Sequence, residues 1–173
     1  MKTITEWLAS LKIYLQMSFF ASSPARLPYS PSSIVLSTMA YLLVGEALLS
    51  EIKSLPSILL QVGLEIFIFF LISTFMLGLK KKRSRLLQTL SALIGVNLVI
   101  SLFTLIVISM LPGYHNTESI DPLLLQLNLI ILLWNLAVIS LIFKRSFEIK
   151  TITAGFIAFN YLLLYEFIVL NFF

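Results

Sequence analysis

Long apolar runs separated by short polar or basic segments dominate the pattern of this chain. Beyond residue 33 there are five such runs, each long enough for a helix that crosses a bilayer, which needs about 17–25 apolar residues. They cover residues 34–50, 58–79, 86–111, 122–143 and 151–173. The pattern therefore predicts an all-α integral membrane protein, a bundle of five transmembrane helices preceded by an N-terminal amphipathic interfacial helix.

Residues 1–33 follow a different pattern. Between residues 4 and 20, apolar side chains recur every three or four positions, as on one face of a helix. We interpret this segment as an amphipathic helix in the cytoplasmic membrane interface, with Trp7 as its anchor and Tyr14 also at headgroup depth. The alternative is a helix packed against the cytoplasmic end of the bundle. Three prolines in residues 21–33 predict a non-helical connector to the first span.

The composition supports a membrane class and excludes several others. The chain is 59% hydrophobic and 12% charged, whereas soluble domains carry roughly 25% charged residues. The net charge of +4 lies in short loops, which favours contact with anionic lipid headgroups over a nucleic-acid partner. With no cysteine, a disulfide framework and a cysteine nucleophile are both excluded.

Clustered basic residues set the predicted orientation. Residues 80–85 carry five positive charges in six positions, and residues 144–150 form a second basic segment. Loops rich in Lys and Arg stay on the cytoplasmic side, so we predict a cytoplasmic N-terminus and an outside C-terminus in a bacterial inner membrane. Of the 12 Lys and Arg residues, only Lys53 lies on the outer side in this layout. The predicted membrane-surface basic residues are Lys80, Lys81, Lys82, Arg83, Arg85, Lys144 and Arg145.

Polar side chains inside the apolar runs are the candidate site residues, because such residues are costly in a bilayer. They are Glu65, Glu166, Glu46, Gln61, Gln126, Asn128, Asn97, Asn135 and Asn160. We expect Glu65 and Glu166 to lie at matched depth, to face one interior region and to contact Asn128 or Gln126, with at least one carboxyl protonated. Two interpretations stand: interhelical hydrogen bonding that fixes helix packing, or a water-accessible cavity for binding or proton-coupled transport.

No recognised catalytic motif accompanies these residues. The chain has no zinc-protease, nucleophile-elbow, P-loop or dinucleotide signature, and His115 with Glu118 and Asp121 makes a poor metal site. We predict a protein without enzymatic activity, metal or cofactor. The leading hypothesis is a structural or accessory subunit that packs with other membrane proteins or with itself. The rival is a small transporter or channel component that uses Glu65 and Glu166.

The layout also resembles a known family. An amphipathic N-terminus, the connector Ser22-Ser23-Pro24-Ala25-Arg26 and five spans ending outside resemble the Yip1-like family of membrane proteins. Residues 85–95, which follow the basic segment, look like the equivalent part of that family. The resemblance implies a five-span fold and a role in membrane trafficking or membrane shaping, and it implies no catalytic residue.

Overall fold

A computed structural model describes residues 2–49, 53–110 and 122–172, and these ranges contain six α-helices and no strand. The helices are α1 (Lys2–Ser18), α2 (Pro31–Leu49), α3 (Leu55–Leu79), α4 (Leu86–Ser109), α5 (Pro122–Phe147) and α6 (Thr151–Phe172). The helices α2 to α6 are long and apolar enough to cross a membrane, which confirms the prediction of an all-α chain with five candidate spans. His115, Glu118 and Asp121, which the sequence offers as a poor metal site, lie outside the described residues.

Helix boundaries differ from the apolar runs at several ends. The helix α2 begins at Pro31 rather than at residue 34, since proline is well tolerated at the first helical position. The helix α5 continues past residue 143 to Phe147 and so includes Lys144 and Arg145 in its last turn, where cations interact favourably with the helix dipole. The apolar runs end before the helices do at these positions, because the flanking polar residues are still helical.

The helix α4 is the centre of the bundle. The helices α1, α2, α3 and α5 all pack against it, and every residue from Thr89 to Leu98 is buried. The helix α6 packs mainly on α5 and also contacts α3, with Ala154 and Ala158 fully buried. Small side chains at such positions allow helices to approach closely.

Two basic segments meet at one end of the bundle. The carboxylate of Glu148, just after α5, accepts a hydrogen bond of 2.8 Å from Arg85 and pairs with Lys82. The segment between α3 and α4 is therefore tied to the segment between α5 and α6. We call this end, formed by residues 80–85 and 144–150, the basic end.

The N-terminal helix packs into the bundle through one face. The ring of Tyr14 is fully buried, and its hydroxyl lies 2.6 Å from the hydroxyl of Ser91 in α4. A Cβ at position 95 would lie 2.4 Å from the Tyr14 ring, so glycine is what allows this close approach. The Tyr14 side chain is therefore buried in the bundle, where α4 offers its ring a flat contact and its hydroxyl a hydrogen-bond partner, and its depth relative to the headgroups stays a prediction.

The opposite face of α1 leaves large apolar side chains exposed. They are Ile4, Leu8 and Leu15, with Phe19 just beyond the helix. Trp7 is half-buried and its indole N–H donates to the hydroxyl of Ser37 in α2 at 3.1 Å. The α1 helix thus packs against the bundle and keeps a second apolar face, so its contact with lipid stays a prediction.

The connector between α1 and α2 is held to the bundle by side chains that donate hydrogen bonds to backbone carbonyls. Arg145 donates to the carbonyl of Ser22, and Gln88 donates to the carbonyl of Leu27 at 2.8 Å. Trp134 donates to the carbonyl of Ser18 at the end of α1, also at 2.8 Å. These contacts fix a proline-containing segment that has few internal backbone hydrogen bonds of its own.

Candidate functional site: a buried glutamate shared by four helices

The most unusual side chain in the bundle is Glu65 of α3, which is only 5% exposed. Tyr41 of α2 donates its hydroxyl to Oε2 at 2.6 Å. Asn97 of α4 donates its amide to Oε1 at 2.7 Å, and Tyr161 of α6 donates its hydroxyl to the same oxygen at 2.9 Å. We call these four residues the Glu65 cluster. It joins four of the five candidate spans through one carboxyl group.

The fold explains why these side chains meet. Each residue of the Glu65 cluster lies near the middle of its helix, and neighbouring helices run between the same two ends of the bundle. The midpoints of these four helices therefore lie at a similar level in the bundle. The rotation of each helix about its own axis then decides which side chain points inward. Asn97 lies in the fully buried stretch of α4, which brings its amide to the centre of the bundle.

The hydrogen bonds to Glu65 come from neutral groups only. An ionised carboxylate offers about four acceptor positions, and the two tyrosines and one amide occupy three of them. No Lys, Arg or His in the described part of the chain pairs with Glu65. Asn97 also has a buried side-chain oxygen, Oδ1, without a hydrogen-bond partner. The cluster can hold a carboxylate, and it has a spare acceptor close to the carboxyl group.

A cavity of about 250 Å³ adjoins the cluster on the side of Tyr41. Its polar wall consists of Tyr41, Gln61, Ser101, Thr104, Asn128 and Tyr165. Its walls reach Leu49, the last residue of α2, and Ile108, near the end of α4. The cavity therefore extends toward the end of the bundle opposite the basic end. Gln61 is buried, and its amide nitrogen has no hydrogen-bond partner.

Tyr161 lies on the other side of Glu65, in a different environment. It lines a groove of about 290 Å³ between α3 and α6 whose other residues are Ile72, Phe156, Ile157, Asn160 and Leu164. This groove is almost entirely apolar. The ring of Tyr161 also stacks on Phe69, with ring centroids 4.6 Å apart. Glu65 is thus flanked by one tyrosine on a polar cavity and one on an apolar groove.

The expectation that Glu65 and Glu166 lie at matched depth and face one interior region is wrong. Glu166 is half-buried and makes no side-chain hydrogen bond among the described residues. Tyr161 is the α6 residue level with Glu65, and Glu166 lies about 7.5 Å further along the axis and about 140° around it. The expected contact of Glu65 with Asn128 or Gln126 is also wrong. The hydrogen bonds of its carboxyl group come from Tyr41, Asn97 and Tyr161.

The remaining predicted residues are distributed over different surroundings. Asn128 is exposed and lines the cavity, whereas Gln126 is exposed on α5. Glu46 is half-buried near the end of α2. Asn135 is half-buried with an unpartnered oxygen, and Asn160 donates to the carbonyl of Phe156 in its own helix at 2.7 Å. The structure therefore joins two of the predicted residues directly, Glu65 and Asn97.

The tyrosines are the part of the cluster that sequence reasoning missed. A search for carboxyl and amide side chains passes over Tyr41 and Tyr161, because tyrosine counts as hydrophobic. A signal was present: membrane tyrosines favour the interfaces, and both residues lie near the middle of their apolar runs. Each hydroxyl at that depth needs a hydrogen-bond partner.

The described residues contain no group of three or more His, Cys, Asp or Glu side chains that could hold a metal ion. The cluster has one carboxylate, two phenols and one amide, and its donors all point at the carboxylate.

Comparison of the chain with protein-family models, with curated proteins and with solved structures returns no significant match.

Proposed function

We propose that this chain is a five-span integral membrane protein whose basic end faces the cytoplasm, in a bacterial inner membrane. Five apolar helices support this proposal, as do the large apolar side chains exposed along them. The concentration of Lys and Arg at one end supports the orientation. Reporter fusions at residues 83 and 116 and at the C-terminus test it. We expect cytoplasmic signal only at residue 83, and a cytoplasmic C-terminus would contradict the five-span layout.

The role that the geometry supports best is a non-enzymatic structural or accessory subunit. The observation that carries this proposal is Gln126. It lies on the first half of α5, where Leu125, Leu129 and Ile130 are also exposed, and its amide makes no hydrogen bond among the described residues. Polar side chains within a bilayer rarely face lipid and commonly hydrogen-bond across helices. We infer that another membrane helix, from a second copy or a different protein, packs there and pairs with Gln126.

Site-specific photo-crosslinking in membranes tests this role. A photoreactive residue at position 126 should give a discrete protein adduct whose crosslinked partner residue lies in an apolar helix. The matched control is position 167 on α6, where Phe167 is exposed near the same end of the bundle, and it should label lipid only. Lipid labelling alone at both positions, or equal protein adducts at both, would refute the proposed surface.

A second candidate function is a small transporter or channel component. The polar cavity beside Tyr41 favours it, because it approaches one end of the bundle and lies next to an intramembrane carboxyl group. The role of Glu166 in this candidate is reduced by its distance from the Glu65 cluster. A trafficking or membrane-shaping role of the Yip1-like kind stays a prediction of the resemblance alone.

A further inference from the structure

We propose that Glu65 is a proton-binding site that exchanges protons with water in the adjoining cavity through the hydroxyl of Tyr41. Glu65 is buried and does not line the cavity. Among the described residues, Tyr41 is the one side chain that both lines the cavity and hydrogen-bonds Glu65. The other two donors, Asn97 and Tyr161, do not line the cavity. Any proton that reaches Glu65 from this side therefore passes Tyr41.

The cavity has the size and lining for water. Liquid water takes about 30 Å³ per molecule, so 250 Å³ accommodates several. Ser101, Thr104 and Gln61 supply hydroxyl and amide groups on its wall. The unpartnered amide nitrogen of Gln61 is a buried donor, and a buried polar group of this kind normally finds a water or protein partner.

The transfer needs only water as co-reactant. A hydronium ion in the cavity gives a proton to the Tyr41 oxygen while the original hydroxyl proton of Tyr41 passes to Oε2 of Glu65. One O–H bond of hydronium and one of Tyr41 break, and one bond forms at Tyr41 and one at Glu65. The products are water, a neutral tyrosine and a neutral carboxyl group. The 2.6 Å separation of the two oxygens suits this step.

Among the residues that the structure describes, no charged side chain hydrogen-bonds Glu65 or lines the cavity. Tyr41 faces Glu65 from α2, Asn97 from α4, and Tyr161 from α6. Tyr165 of α6 lines the same cavity, and Glu166, the next residue, makes no hydrogen bond to the cluster. The charge of an ionised Glu65 is therefore met by hydrogen bonds from neutral groups alone, and protonation leaves no cation without its partner.

Tyr41 and Asn97 suit both protonation states of Glu65. When Glu65 is ionised, Tyr41 donates to Oε2 and the Asn97 amide nitrogen donates to Oε1. After the transfer, the proton on Oε2 is donated back to the Tyr41 oxygen, whose new proton faces the cavity. The Asn97 amide nitrogen keeps its hydrogen bond to Oε1. The cluster thus offers hydrogen bonds to both protonation states of Glu65.

Infrared spectroscopy of the purified chain in lipid nanodiscs tests the route. The carbonyl stretch of protonated Glu65 is identified by lowering the pH and by its absence in Glu65→Gln. After transfer from H₂O to D₂O, the rate at which this band shifts reports proton exchange. Tyr161→Phe is the matched control for Tyr41→Phe, because each variant removes one tyrosine donor to Glu65. Of these two tyrosines, only Tyr41 lines the cavity.

We expect Tyr41→Phe to slow the exchange at least about tenfold, a change of one order in rate constant, and Tyr161→Phe to leave it near the original rate. Equal slowing in both variants, no slowing in either, or the absence of a Glu65 carboxyl band at every pH where the chain stays folded would overturn the proposal. Should Tyr41→Phe fail to fold, Thr104→Leu narrows the cavity without touching Glu65 and should also slow exchange. This inference is independent of the accessory role, since it concerns the interior of one chain and does not involve position 126.

Discussion

Glu65 and Glu148 are two glutamates with opposite surroundings. Glu65 lies in the middle of the bundle, buried, with three neutral donors from three other helices. Glu148 lies at the basic end, exposed, and pairs with Lys82 and Arg85. The cations hold the pKa of the Glu148 carboxyl below its usual value, chiefly through hydrogen bonds from Lys82 and Arg85.

The glutamate with charged partners is not the one that we expect to contribute most to the stability of the bundle. An exposed ion pair is screened by water and salt and contributes little to stability. A buried hydrogen-bonded group is different, because removing it leaves its partners unsatisfied where no water replaces it. We therefore expect Glu65, which has no cationic partner, to contribute more to the free energy of unfolding than Glu148, which has two.

The largest effect is expected for Glu65→Leu. This variant leaves the hydroxyls of Tyr41 and Tyr161 and the amide of Asn97 without their acceptor, and interhelical hydrogen bonds in membranes are worth about 0.6 kcal/mol each. Stability should fall by about 2 kcal/mol, measured as a lower Tm in detergent. Glu166→Leu is the control and should lower Tm much less, because Glu166 makes no side-chain hydrogen bond among the described residues. An equal fall in Tm would contradict the stabilising role of the hydrogen bonds to Glu65.

A smaller loss is expected for Tyr14→Phe, a second buried polar contact far from any charge. The ring keeps its place against Gly95, but the hydroxyl loses its hydrogen bonds with Ser91 and, at 3.4 Å, with Ser37 of α2. The expected cost is about 1.2 kcal/mol, that of two interhelical hydrogen bonds of about 0.6 kcal/mol each. Thermal unfolding measures it, and Ser91→Ala should cost less because it leaves the Ser37 contact in place. A loss as large as that of Glu65→Leu would mean that α1 detaches altogether.

Glu65→Gln should be nearly silent for stability. The glutamine oxygen still accepts from Asn97 and Tyr161, and its amide nitrogen can donate to the Tyr41 oxygen, so the helices stay connected. We expect a loss below about 0.6 kcal/mol, less than one interhelical hydrogen bond. The same Tm measurement checks it. A loss close to that of Glu65→Leu would show that the negative charge itself, and not hydrogen bonding, stabilises the cluster.

The smallest effect is expected for Glu148→Gln, which should leave Tm nearly unchanged at neutral pH. Since the folded pKa of Glu148 is lowered, its contribution is complete above the ordinary pKa of a glutamate and is lost as pH falls through the lowered value. The original chain and the variant should therefore converge in acid and in high salt. Tm measured against pH and salt checks this, and a difference that grows in acid would contradict it.

The helices of this chain could be predicted because each depends on local sequence. An apolar run of bilayer length is a one-dimensional property, and a cluster of basic residues ends it. The meeting of residues 80–85 with residues 144–150 at one end also follows from counting spans. The candidate list contained Glu65 and Asn97 for the same reason, since a polar residue in an apolar run is visible without knowing its neighbours.

The partners of those residues could not be predicted. The apolar run that starts at residue 58 puts Glu65 nearer to a span end than it lies in the structure, because α3 begins at Leu55. Rotation of each helix about its axis is also invisible in an apolar run, where nearly every position is hydrophobic on all sides. That rotation points Tyr161 inward at the level of Glu65 and leaves Glu166 elsewhere.

The N-terminal helix shows the same division between sequence and tertiary structure. The sequence by itself determined that α1 is helical and amphipathic, because the spacing of its apolar residues is a local pattern. Only the tertiary structure decided that Tyr14 packs into the bundle while Leu8 and Leu15 stay exposed. The physical reason lies in another helix, where Gly95 leaves room for an aromatic ring and Ser91 supplies a hydrogen-bond partner.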